Sequence, residues 1–211
     1  MYFKQIFNLS ILILFLIMSE SSLAQDEFDI IRDYKKALVK SDSLLAKGTI
    51  SGLDLKKLMT ITKKLDNQHP SGYIAQAIVY FKKGDYNESG FLYHLVKMRL
   101  VDWNKNNKGA IYDFLGDENV YLEEGVFLYL AADIDNYKSV VELAINYYKE
   151  NEYLYISKND NYNKAEVPVE YNEMLKKFDE NRETVKQGLF ETREDMRKKV
   201  EGYYLMLNLK E

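Results

Sequence analysis

The sequence predicts an all-α protein of stacked antiparallel helical hairpins with a long C-terminal helix. Three observations lead there. Two prolines and ten glycines in 211 residues are few helix breakers,. Apolar residues recur at intervals of three and four along most of the chain,. No segment alternates as a half-buried strand should, and Glu152-Tyr153-Leu154-Tyr155-Ile156 is the nearest approach to one,.

Residues 1–24 have the three parts of a secretory signal. Lys4 supplies a positive start, Leu9 to Met18 a near-continuous apolar run, and Ser22-Leu23-Ala24 a small-residue site for cleavage after Ala24,. The run is too short to span a bilayer, which takes ~20 residues, and it has no polar face to meet water as a surface helix. The expected mature chain is a single α-helical repeat-like domain, residues 25–211, exported to the periplasm or beyond, with no transmembrane segment.

Asp26 to Lys47 places Phe28, Ile31, Leu38 and Leu45 at helical spacing, with Gly48 as the stop,. Ser51-x-x-Asp54 reads as a capping box that opens a helix carrying Leu55, Leu58, Ile61 and Leu65,. The break at 66–70 follows from Pro70, which biases His69 away from helix,. Ser71 to Lys83 then forms a helix with a broad apolar face. Gly84-Asp85 turns the chain, and Asn87 to Leu100 returns. After a polar loop at 104–109, Val120 to Ala132 and Asn136 to Lys149 make a second hairpin around Asp133-Ile134-Asp135. Residues 157–166 read as loop. Beyond Pro168, Leu175, Phe178, Val185, Leu189, Met196 and Tyr203 predict one helix to about Asn208, lying along the others. Arg182, Thr192 and Lys199 interrupt its seam, which argues against a coiled coil,.

Tyr73 to Val96 resembles one tetratricopeptide repeat. Tyr73, Ala77 and Tyr80 take the first-helix places, Gly84-Asp85-Tyr86 the turn, and Ser89, Tyr93 and Val96 the second helix. Gln76 replaces the usual leucine, and Val101 stands where a proline often closes the unit. Asn136-Tyr137, Val140 and Ala144 echo the turn and second helix, but out of phase with the ~34-residue period. The stretch Ser89 to Arg99 also looks like a motif of bacterial helical proteins in which a small residue and an aromatic run precede Gln-Leu-Arg. Here Lys97 replaces the glutamine. These resemblances imply a helical fold and no particular activity.

A net charge of -4 argues against nucleic-acid binding, which needs a basic face,. The absence of cysteine excludes disulfides, thiolate metal sites and a cysteine nucleophile,. His69 and His94 sit in different elements with no ligand at i+4, so they read as a turn residue and a core residue,. Asn159, Asn161, Asn163 and Glu170 have calcium-loop spacing, but Lys164 replaces the glycine of the turn, and Asp133-x-Asp135 departs further still,. Asp113, Asp117, Glu118, Glu123 and Glu124 cluster in sequence, as charged helix termini also do,. No catalytic, cofactor-binding or metal-ligating set emerges, and the expectation is a protein that is not an enzyme.

Eighteen tyrosines against ten phenylalanines are the remaining oddity. Tyrosine joins a large apolar face to a polar tip and suits contact surfaces. Tyr147, Tyr148, Tyr153 and Tyr155 are therefore the partner-binding candidates, although packing between the helices is the better explanation of them. The function expected is an exported interaction module that binds another protein, of scaffold or immunity type. The alternative is a glycan-binding or carboxylate-dependent carbohydrate-active envelope protein.

Overall fold

The computed structural model describes residues 21–46, 53–107, 117–159 and 161–207. Residues 1–20 of the expected signal sequence, Gly48, Ser51, Asp113 and the side chains of Asp117 and Glu118 lie outside the described residues. Those described are helical or irregular, with no strand among them.

In chain order the helices are α1 (Ser21–Ala46), α2 (Leu55–Leu65), α3 (Ser71–Lys83), α4 (Tyr86–Asn106), α5 (Asp117–Leu130), α6 (Ile134–Glu150), the single turn α7 (Leu154–Ser157), α8 (Val169–Glu180) and α9 (Arg182–Met206). Their ends follow from local chemistry. Asp54 caps α2 by accepting from the Lys57 amide at 3.2 Å,. Gly84 closes α3 at φ 81°, a left-handed conformation that a side chain disfavours, and this permits the reversal into α4,. Asp133 caps α6 through the amides of Asp135 and Asn136, each at 2.9 Å.

Helices α3 and α4 form a hairpin that turns at Gly84. Tyr73, Ala77, Tyr80, Tyr86, Ser89, Tyr93 and Val96 are all buried, and the Ser89 hydroxyl donates to the Ala77 carbonyl at 2.9 Å. At the second close approach, α5 passes α3 with Gly125 over Phe81. A Cβ there would lie 2.3 Å from the ring. The two hairpins meet at their turns, where the Asn136 amide donates to buried Asn87 at 2.8 Å.

Helix α4 is the centre of the molecule. It packs against α3, α5 and α6, and from Tyr86 to Leu100 only Glu88 and Lys97 are not fully buried. Helix α1 lies on α5 through Tyr34, Ala37 and Leu38, and α9 covers both through Arg193, Met196 and Val200.

Three expectations need correction. The single C-terminal helix is two, broken at Asn181 (φ −126°, ψ 35°). The apolar steps run on through this corner, so periodicity does not mark it. The corner is tied to the start of α6, where Arg182 grips Asp135 with two bonds of 2.6 Å and Lys138 donates to Asp179. The strand candidate at 152–156 is an extended Tyr153 followed by the turn α7, because no second strand lies beside it and Tyr153 points inward with no exposed surface. Helix α4 continues to Asn106, past the predicted end at Leu100, because Asp102 has an internal role described below.

Candidate functional site

The C-terminal half of α4 carries the densest polar chemistry of the described residues. Arg99 is completely buried and pairs with the Asp66 carboxylate at 2.7 Å. That carboxylate also accepts from the hydroxyls of Tyr73, at 2.5 Å, and Tyr147, at 2.6 Å. The guanidinium donates twice to the Asn151 carbonyl, each bond 3.3 Å. It lies 5.2 Å from the ring centre of Tyr148 and 5.3 Å from that of Tyr153,. Burial alone would favour the neutral guanidine, but electrostatic interaction with Tyr73 and Asp66 outweighs it and raises Arg99 above its ordinary value. Burial first, then the Asp66 charge, holds the Tyr73 hydroxyl well above its ordinary value. Tyr147 rises for burial and its bond to the same carboxylate. The result is one compensated cation in a tyrosine cage. Such a group fixes geometry and has no open face for a substrate.

The cage holds up an aromatic cluster at the surface. Trp103 follows Arg99 by one helical turn, and Tyr155 is anchored by its amide, which donates to the Asp66 carbonyl at 2.7 Å,. Tyr155 stacks on Trp103 with ring centres 5.4 Å apart. His69 stands edge-on to both, 5.1 Å from Trp103 and 6.1 Å from Tyr155. Its Nδ1 accepts from the Ser71 amide at 3.3 Å. Val101 and Leu154 are exposed at 42% and 38%, and Tyr155 at 43%.

The structure divides the tyrosine candidates. Tyr147, Tyr148 and Tyr153 are buried, and their hydroxyls bond inward to Asp66, the Ala165 carbonyl and the Gln68 carbonyl. They belong to the protein's own core in this conformation and present no surface to a partner. Tyr155 alone of the four is exposed.

The other sequence-level candidates do not converge. His94 is buried, its Nδ1 3.3 Å from the Tyr171 hydroxyl, and burial, with a smaller effect from Lys97, pushes its pKa down to about 3. Glu124 accepts from Tyr34 at 3.0 Å, and Glu123 faces Lys97 at 4.0 Å. Among the described residues no group of three or more His, Asp or Glu is placed to hold a metal.

Sequence reasoning missed Arg99, Asp66 and Asp102. A signal for Arg99 existed: it falls in phase with Leu92, Leu95 and Val96, where an apolar residue belongs,. Nothing local marks Asp66, which reads as part of a polar turn. Comparison of the chain with protein-family models, with curated proteins and with solved structures gives no match.

Proposed function

We propose that the protein is an exported helical interaction module, of scaffold or immunity type, that docks another protein on the face formed by His69, Trp103 and Tyr155. The observation that carries this reading is the convergence of three aromatic side chains, from positions distant in sequence, on one spot where Tyr155 is exposed. Aromatic anchors on a rigid support are the usual energetic centres of protein interfaces, because they bury much area at little entropic cost. The Arg99–Asp66 cage supplies the rigid support. The leader-like residues 1–24 support export, and no helix among the described residues is long and apolar enough to cross a membrane.

The test is capture from a bacterial envelope extract with the tagged full chain, carrying its own leader, beside a Trp103→Ala/Tyr155→Ala variant. One stoichiometric protein is expected with the first and absent with the second. If that protein is a toxin, periplasmic expression protects cells from it. A partner retained equally by both would refute the docking face.

The stacked Trp103–Tyr155 pair also gives the glycan reading its best support, since sugar rings pack on exposed aromatics. That reading predicts retardation on polysaccharide gels that Tyr155→Ala removes. Tyr153→Ala is the wrong probe, because Tyr153 is a core residue.

A further inference from the structure

Residues 161–167 run in irregular conformation beside the end of α4, and side chains hold them there. The Asn106 amide pairs with both main-chain groups of Asn163, accepting from its N–H at 3.0 Å and donating to its carbonyl at 3.1 Å. Lys105 donates to the Lys164 carbonyl at 3.1 Å. Asp102, fully buried, accepts from the Ala165 amide at 2.8 Å, and Tyr148 donates to the Ala165 carbonyl at 2.7 Å. Five main-chain groups of three consecutive residues are thus satisfied by side chains of α4 and α6. Among the described residues no backbone–backbone bond joins 161–167 to a helix.

Arg99, Asp102 and Asn106 sit at i, i+3 and i+7, so they form one stripe of α4. Asp102 and Asn106 read the backbone of Ala165 and Asn163, and Arg99 reads that of Asn151. Side chains of the segment are also recognised: Lys105 donates to the Asn163 side chain at 3.0 Å, and the Lys164 ammonium donates to the Lys149 and Asn151 carbonyls at 3.1 and 3.0 Å. The Tyr162 hydroxyl donates to Asp102 at 2.9 Å, and Ala165 is buried at 7% exposure. The packing beside the segment is incomplete. An open cavity of about 350 Å³ lies there, lined by Tyr148 and Lys149 of α6, Asn172 of α8 and residues 164–167 of the segment itself.

We propose that this stripe is a peptide-binding groove, filled in the free protein by residues 161–167 as an internal ligand that a partner's segment displaces. The partner's segment is extended, with a tyrosine, an amide, a basic residue and a small residue in succession, because the side chains of Tyr162, Asn163, Lys164 and Ala165 all meet the protein. Main-chain bonding supplies most of the hold, as in other recognition of extended peptides. The proposal rests on the interaction reading above and adds a second contact next to the aromatic face. A tethered segment competes at a local concentration of roughly millimolar, so the closed groove binds free peptide weakly.

The test titrates a fluorescent peptide of residues 161–167 into the full chain and into a Tyr162→Phe/Ala165→Pro variant. That variant loosens the segment by removing one hydroxyl and one N–H while leaving the groove intact. Binding about tenfold or more tighter to the variant is expected, and Asp102→Ala added to it abolishes the gain. Equal binding to both proteins, or no binding to a variant whose helical spectrum is unchanged, overturns the proposal. The wild-type chain gives an independent readout by hydrogen exchange. The Asn163 and Ala165 amides are expected to exchange about a hundredfold or more faster than Leu95 and Val96, through local opening. Exchange in step with α4 overturns the proposal even if the variant does not fold. Peptide binding without a captured envelope protein would fail the interaction reading alone, and capture through Trp103 and Tyr155 without peptide binding would fail the groove alone.

Discussion

Replacing Asp66 with asparagine tests whether the Arg99 cage is one coupled unit. The substitution keeps the shape and removes the charge that compensates a guanidinium with no exposed surface. At 2.7 Å the pair's attraction is about 6 kcal/mol for an effective dielectric near 20,. Most of that offsets desolvation, so the relevant magnitude is the cost of stranding one buried charge, ~3–5 kcal/mol. For a domain of this size that lowers Tm by about 6–20 °C. Arg99→Met strands the carboxylate instead and is expected to cost a similar amount. The double variant Asp66→Asn/Arg99→Met strands neither charge, and a loss of only ~1–2 kcal/mol is expected for it. Urea unfolding followed by far-ultraviolet circular dichroism measures all three, with slopes that should not change. The signature is a coupling of about 4 kcal/mol or more, the two single losses less that of the double variant. If the single losses simply add, or if Asp66→Asn costs under about 0.5 kcal/mol, the cage does not hold the molecule together.

Further measurements probe other parts of the fold. Gly125→Ala drives a methyl group into Phe81, so a loss of ~1–3 kcal/mol is expected,; adding Phe81→Leu should recover part of it, and no recovery would point to a backbone cause. His94 is held down to about 3 in the folded chain, while the unfolded chain takes up its proton near 6.5. Stability is therefore complete above pH 6.5 and declines by ~1.4 kcal/mol per pH unit toward pH 3; a His94→Gln variant with the same acid slope in urea midpoints would contradict this. At the alkaline end the sign reverses. Burial raises Tyr34, Tyr73, Tyr93 and Tyr171 well above their ordinary value, so their contribution is complete below pH 10 and is lost as the pH rises. Absorbance of ionised tyrosine should then appear in one cooperative step together with loss of helix, and a gradual titration of the folded protein would argue against it.

Local chemistry made much of the backbone readable. Gly84, Asp133 and Pro70 mark real boundaries because each acts through its own residue: a left-handed φ, a cap, a restricted predecessor. The corner at Asn181 was hidden because the apolar phase continues across it while distant Asp135 and Lys138 fix it in place. The site was less legible for a related reason. Tyrosine's two-sided chemistry is the same whether its ring meets a neighbouring helix or a partner, so composition cannot separate Tyr153 from Tyr155. Burial separates them, and that depends on Arg99, whose partners Asp66 and Asn151 lie 33 residues before and 52 after it in the sequence.

The enclosure of α4 has a consequence for how such a chain changes over generations. In an open array of hairpins each unit touches only its neighbours, so whole units can be duplicated or deleted and the array merely lengthens or shortens. Here α4 is walled by α3, α5 and α6 together. Removing either hairpin would bare a helix that lacks a water-facing side over most of its length. Variation is then expected on the outward faces of α2, α8 and α9, the last with Phe190, Leu205 and Met206 exposed, and in the loops. The body is inherited whole.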